Sequence, residues 1–184
     1  MTKRQIKFIS IIVLSLATLI YGTIGSFFSE DRQAADNSII IKKVHDGDTI
    51  SAVVNNKYEK IRLIGIDTPE MGQRPWGSKA GKYLENLIDA SSGRVLIEYD
   101  VEKRDKYGRI LAYIWTKDGR MVNEEMLRNG FALLFTFPPN VKYVNKLMSA
   151  QKDARDKKIG IWGKNGIKQR PYDYRREHPR HNQR

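Results

Sequence analysis

Between residues 39 and 66 apolar side chains alternate with polar ones, and turn-forming residues interrupt the alternation. Ile39–Val44 and Thr49–Val54 are rich in β-branched residues and flank Asp46-Gly47-Asp48, a sequence suited to a turn. A second turn falls at Asn55-Asn56, and Lys60–Ile66 then continues with period two as a third strand. Val95–Tyr99 and Ile110–Trp115 predict the fourth and fifth strands, the latter followed by an Asp118-Gly119 turn. Elsewhere the period changes. Ala80, Tyr83, Leu84, Leu87 and Ile88 recur at i, i+3, i+4, i+7 and i+8, with Gly93 as a stop. Val122, Met126 and Leu127 mark a short second helix ended by Asn129-Gly130. Val144, Leu147, Met148 and the stretch 151–154 mark a third, ending near Gly160. Short, evenly spaced strands with interspersed helices predict an α+β chain, mainly β, closed into a small barrel. No internal repeat is visible.

The two ends depart from this pattern. Phe8–Phe28 is a 21-residue window without a charge, preceded by Lys3, Arg4 and Lys7 and followed by Glu30 and Asp31. It predicts an N-terminal hydrophobic helix, residues 1–28 being either a signal peptide or a membrane anchor. Thr23-Ile24-Gly25 and Gln33-Ala34-Ala35 are weak cleavage candidates. In either case the remainder is expected outside the cytoplasm, secreted or anchored facing outward, with membrane association through 8–28. Residues 29–38 read as a linker and 39–163 as the folded domain, long enough to bury its own core. Residues 164–184 carry a charge of +5 with no apolar period, and read as a basic, flexible tail.

Composition narrows the class. With 40% hydrophobic and 29% charged residues the chain is neither wholly disordered nor fibrous. The formal charge of +12 points to polyanions, although 29–163 holds only +4 of it. Cysteine is absent, which excludes disulfides and thiolate metal sites. A monomer is expected.

Four segments carry more charge than their strands require: Asp46–Thr49, Arg62 on an apolar strand, Asp67-Thr68-Pro69-Glu70 just after it, and Asp105–Arg109 just before the fifth strand. All lie at strand ends, where a barrel can gather them at one rim. Asp48, Asp67 and Glu70 offer hard oxygen ligands with no thiolate, which favours Ca²⁺ or Mg²⁺. Arg62 and Arg109 offer planar forks that fit phosphate oxygens. A cation, two guanidiniums and a carboxylate form a set for phosphodiester hydrolysis. His45 is the only histidine of the domain, so no Ser-His-Asp arrangement competes. His45 reads as a strand-end surface residue and Trp162 as a core plug.

In this order, Val44–Thr49, Arg62–Glu70 and Asp105–Tyr113, followed by Met121–Glu124 and Gly160–Trp162, resemble the thermonuclease family of staphylococcal-nuclease-like enzymes. The resemblance spans roughly 39–163. It implies a five-stranded OB-type barrel with three helices, and Ca²⁺-dependent cleavage of DNA and RNA by water attack on phosphorus, leaving 3′-phosphate ends. By position it implies Ca²⁺ held by Asp48, Asp67 and the Thr68 carbonyl, Glu70 as general base, Arg62 and Arg109 on the phosphate, and Tyr107 near the nucleotide. Phe135 and Phe137 stand where the family prototype has tyrosines, keeping a stacking face without a hydroxyl. The segment 71–80 is shorter and less lysine-rich than in the prototype. Two other functions fit the charge: a non-catalytic OB-fold module that binds nucleic acid, and an adhesion protein working through its basic tail.

Overall fold

The computed structural model describes residues 37–179. The hydrophobic segment 8–28, the linker up to residue 36 and the last five residues lie outside the described residues. Among the described residues no helix is long and apolar enough to cross a membrane.

Strands β1 (Ser38–Val44), β2 (Thr49–Val54), β3 (Lys57–Leu63), β5 (Arg94–Glu98) and β6 (Ile110–Trp115) close into a five-stranded barrel in the order β1-β2-β3-β6-β5. Every pairing is antiparallel except β3 with β6, which run parallel. The barrel and the helices match the mainly β, OB-type architecture expected from the strand pattern and the resemblance. A separate two-stranded sheet pairs β4 (Gly65–Asp67) with β7 (Leu133–Phe135).

The third predicted strand therefore divides. Gly65 has φ +79°, a left-handed conformation that turns the chain out of the barrel after β3. A Cβ on Gly65 would stand 2.4 Å from Leu147 Cδ1, so the turn is also the seat of a core side chain. Buried Asn123 braces the break: its amide donates to Ile64 O at 2.8 Å, and its carbonyl oxygen accepts from the Ile114 N–H at 3.0 Å.

Helices α1 (Trp76–Asp89), α2 (Val122–Arg128) and α3 (Val144–Asp156) cover the barrel. Ala80, Leu84, Leu87 and Ile88 of α1 are buried, as are Val122, Met126 and Leu127 of α2 and Leu147 of α3. They join Ile50, Ile61, Leu63, Val95 and Ile97 of the barrel in one core. Met148, expected on the apolar stripe of α3, is instead exposed. A 3-10 turn (Gly160–Trp162) follows, in which Ile161 is buried while Trp162 is only half-buried, with the Arg155 guanidinium 5.2 Å from its ring.

The segment read as a flexible tail contains a fourth helix, α4 (Pro171–Glu177). Proline at its first position, Asp173 in its first turn and Arg175 and Arg176 in its last all suit a short helix. The segment is tied back to the loop after β4 and to α1: Gln73 Nε2 donates to Gln169 O at 2.8 Å, and Trp76 Nε1 to Asn165 O at 2.9 Å. Its charge is that of a solvated tail, and those contacts hold it in place.

Candidate active site

The turn between β1 and β2 is shaped by Asp46, whose Oδ1 accepts the Asp48 N–H at 3.1 Å. Register then carries Asp48 to its partner. Thr49 lies opposite Arg62 in the β2–β3 ladder, and Asp48 O accepts the Leu63 N–H at 2.9 Å. The Arg62 guanidinium consequently bridges two acids, pairing through Nη1 with Asp48 Oδ1 and through Nη2 with Asp67 Oδ1 at 3.2 Å. Nη2 also donates to Ile66 O at 3.2 Å. Both carboxylates are buried, each residue only 2% exposed, so their charge is tolerable only while these donors face them. Burial pulls the Arg62 guanidinium below its ordinary pKa, opposed by the charges of Asp67 and Asp46. Thr68 completes the Asp48 surroundings: its N–H and hydroxyl each donate to Asp48 Oδ2 at 2.9 Å.

Glu70 sits where the loop leaves β4, its N–H donating to Gln73 Oε1 at 3.0 Å. Its carboxylate meets a residue with no sequence signal, Arg175 of α4. Arg175 Nη1 stands 2.9 Å from both Glu70 Oε1 and Asp67 Oδ1, and Nη2 donates to Asp67 Oδ2 at 3.1 Å. Burial works against the Arg175 charge, but hydrogen bonds with Asp67 and Glu70 outweigh it and the pKa is raised. Asp48, Arg62, Asp67, Arg175 and Glu70 thus form one unbroken chain of alternating charge.

Arg109 faces the same cleft from the turn before β6. Asp105 fixes it there: Oδ1 accepts the Tyr107 and Arg109 N–H groups at 2.9 and 3.0 Å, and Oδ2 lies 2.7 Å from the Arg109 fork. Tyr107 projects from this turn, 72% exposed, with the Arg109 guanidinium 5.5 Å from its ring. Phe135 and Phe137 line the cleft beyond β4, also exposed. The cleft measures about 1280 Å³ and also receives Tyr172 and Arg175 of α4. His45 lies at its edge, half-buried, with Nε2 2.7 Å from Ser51 Oγ.

The donors fit a hard divalent cation. They are all oxygens, and two buried carboxylates already converge on one positive group, Arg62. Among the described residues no trio of Asp, Glu and His stands close enough to cage a metal alone. The groups that could hold such an ion are the carboxylates of Asp48 and Asp67, with water or substrate left to supply its other ligands. Glu70 is joined to this set through Arg175, which bridges it to Asp67.

Barrel, helices and cleft together define an OB-type barrel built around an acidic–basic site that suits phosphate. The profile of the family described as staphylococcal nuclease homologue matches residues 60–164. The chain is 36% identical to a thermonuclease of Staphylococcus intermedius over 160 residues, covering 83% of this chain and 94% of that protein. It is 34% identical to a thermonuclease of Staphylococcus hyicus over 159 residues, 83% and 91% of the respective chains. The endonuclease YncB of Bacillus subtilis (strain 168) is 35% identical over 136 residues, 70% of this chain and 63% of the relative. The chain belongs to the staphylococcal nuclease family.

Proposed function

We propose that the chain is a Ca²⁺-dependent nuclease that hydrolyses DNA and RNA without regard to the sugar, leaving 3′-phosphate ends. The observation that carries this is the Arg62 guanidinium held between two buried carboxylates, one of them joined through Arg175 to Glu70. A domain that only bound nucleic acid would have no use for burying two acids in a basic cleft, since each repels phosphate.

Asp48, Asp67 and the Thr68 carbonyl would hold the Ca²⁺, which when bound offsets the charge growing on the phosphoryl oxygens. Arg62 and Arg109 donate to the non-bridging oxygens and strengthen those bonds as the phosphorus becomes five-coordinate. Glu70 takes the proton of the attacking water. An oxygen–phosphorus bond forms, the bond from phosphorus to the 5′ oxygen breaks, and the leaving oxygen takes a proton from solvent. The charge-free run of residues 8–28 behind Lys3, Arg4 and Lys7 supports an extracytoplasmic site of action.

The test is digestion of single- and double-stranded DNA and of RNA, with Ca²⁺ or with EGTA, followed by end-group analysis. Cleavage in Ca²⁺ alone with 3′-phosphate ends is expected, and Glu70→Gln should slow it by about 10²–10⁴ with the melting temperature kept. Gel retardation without cleavage in either condition would overturn the proposal in favour of a binding module.

A further inference from the structure

Beyond these groups, α4 presents a face that the chemistry does not use. Tyr172 and Arg175 are three residues apart and so share one side of the helix. Arg175 points to Asp67 and Glu70, while Tyr172 lies against Phe135, ring centroids 6.3 Å apart and planes 23° from parallel. Neither ring is covered: Tyr172 is 48% exposed and Phe135 42%. Both line the cleft. Phe135 pairs with Gly65 in the β4–β7 ladder, two residues or roughly 7 Å along the strand from Asp67. That offset suits a nucleotide neighbouring the one whose phosphate meets Arg62, the partner of Asp67.

The helix is built into this position. A Cβ on Gly72 would stand 2.2 Å from the Tyr174 hydroxyl, so the loop after Glu70 leaves a notch for α4. Arg175 of α4 lines the cleft beside the two rings and places a cation next to them. Aromatic faces with cations alongside are what single-stranded nucleic acid binds, each stacked base contributing about 1–3 kcal/mol.

We propose that Tyr172, with Phe135, is a base-stacking residue, and that α4 is a substrate-binding wall of the cleft. This rests on the nuclease reading and adds to it a contact outside the matched family segment, which ends at residue 164.

The experiment is fluorescence anisotropy of a labelled twelve-nucleotide thymidine strand, and of the same strand with abasic sites, with the full chain in EGTA so that nothing is cleaved. Tyr172→Ala is expected to weaken binding of the intact strand about 5- to 100-fold. Tyr172→Phe should bind as wild type, and Tyr172→Ala should change binding of the abasic strand less than two-fold. Equal affinity of Tyr172→Ala and wild type for the intact strand overturns the inference, as does an equal loss on both strands, which would mark a structural role. Either result leaves the nuclease reading intact if the wild type still digests the strand in Ca²⁺. A wild type that neither binds nor digests it overturns both.

Discussion

Arg62 and Arg109 face the same cleft from opposite kinds of support. Arg62 emerges from the barrel wall with its side chain 17% exposed, and its partners Asp48 and Asp67 come from two other segments of the fold. Arg109 stands on a turn with 30% exposure, and its partner Asp105 is four residues away. One guanidinium is therefore part of what keeps the barrel rim together, while the other is presented by a local device that could be lost without disturbing anything beneath it. Two guanidiniums that line the same cleft need not carry the same structural duty.

Substitution separates the two duties. Arg62→Ala leaves buried Asp48 without its cation and Asp67 with Arg175 alone, which should cost about 3–5 kcal/mol of stability in addition to activity, read from urea unfolding beside turnover. Arg109→Ala should lose about 10²–10³ in rate on an oligonucleotide yet less than about 1 kcal/mol of stability, because its ion pair is partly solvated. If both variants unfolded at the same urea concentration, the distinction between wall and turn would be wrong. Arg175 adds a third kind of support. It occupies the carboxylate oxygens of Asp67 that a cation needs, so Arg175→Ala is expected to tighten Ca²⁺ binding severalfold by calorimetry, whereas Arg109→Ala should leave it unchanged. Unaltered Ca²⁺ affinity in Arg175→Ala would show that guanidinium and cation do not compete.

The smallest expected effect lies away from the cleft and calibrates the others. Burial works to raise the Glu124 carboxyl pKa, but Lys146 and Arg128 outweigh it and hold the carboxyl below its usual range. A carboxyl depressed in the folded state contributes stability that is present above its unfolded pKa and lost as pH falls through the folded one. The melting-temperature gap between wild type and Glu124→Gln should therefore be widest near neutrality and close in acid. A gap that widened in acid would reverse the sign.

Much of this was legible in the sequence where local chemistry sets local structure. Period-two runs, the Asp46-Gly47-Asp48 turn and the i, i+4 stripe of α1 depend on near neighbours, so the barrel strands and the three covering helices stand close to where the pattern puts them. The hidden features depend on distance along the chain. Gly65 breaks a strand from within an apolar run, because the Leu147 contact that shapes the break arrives from α3. Leu133–Phe135 is too short to announce a strand and gains its identity from β4. Arg175 meets Glu70 and Asp67 across 105 and 108 residues, a separation no motif spacing expresses. The tail looked featureless because α4 is held by single contacts, the Tyr174 notch and the Arg175 pairs, rather than by an apolar face.

The parallel seam between β3 and β6 has a consequence for when the protein can act. Ile61 faces Ile110 and Arg62 faces Leu111 across that seam, so Arg62 and Arg109 come to line one cleft only after a long excursion of chain has returned. Contacts of such separation are slow to form, because the intervening loop must close before they repay its entropy. An extended or partly synthesised chain, even one containing every acid of the cleft, holds no assembled catalyst. Destructive chemistry is thereby withheld until the molecule is whole, a safeguard that needs neither an inhibitor nor a cleaved precursor.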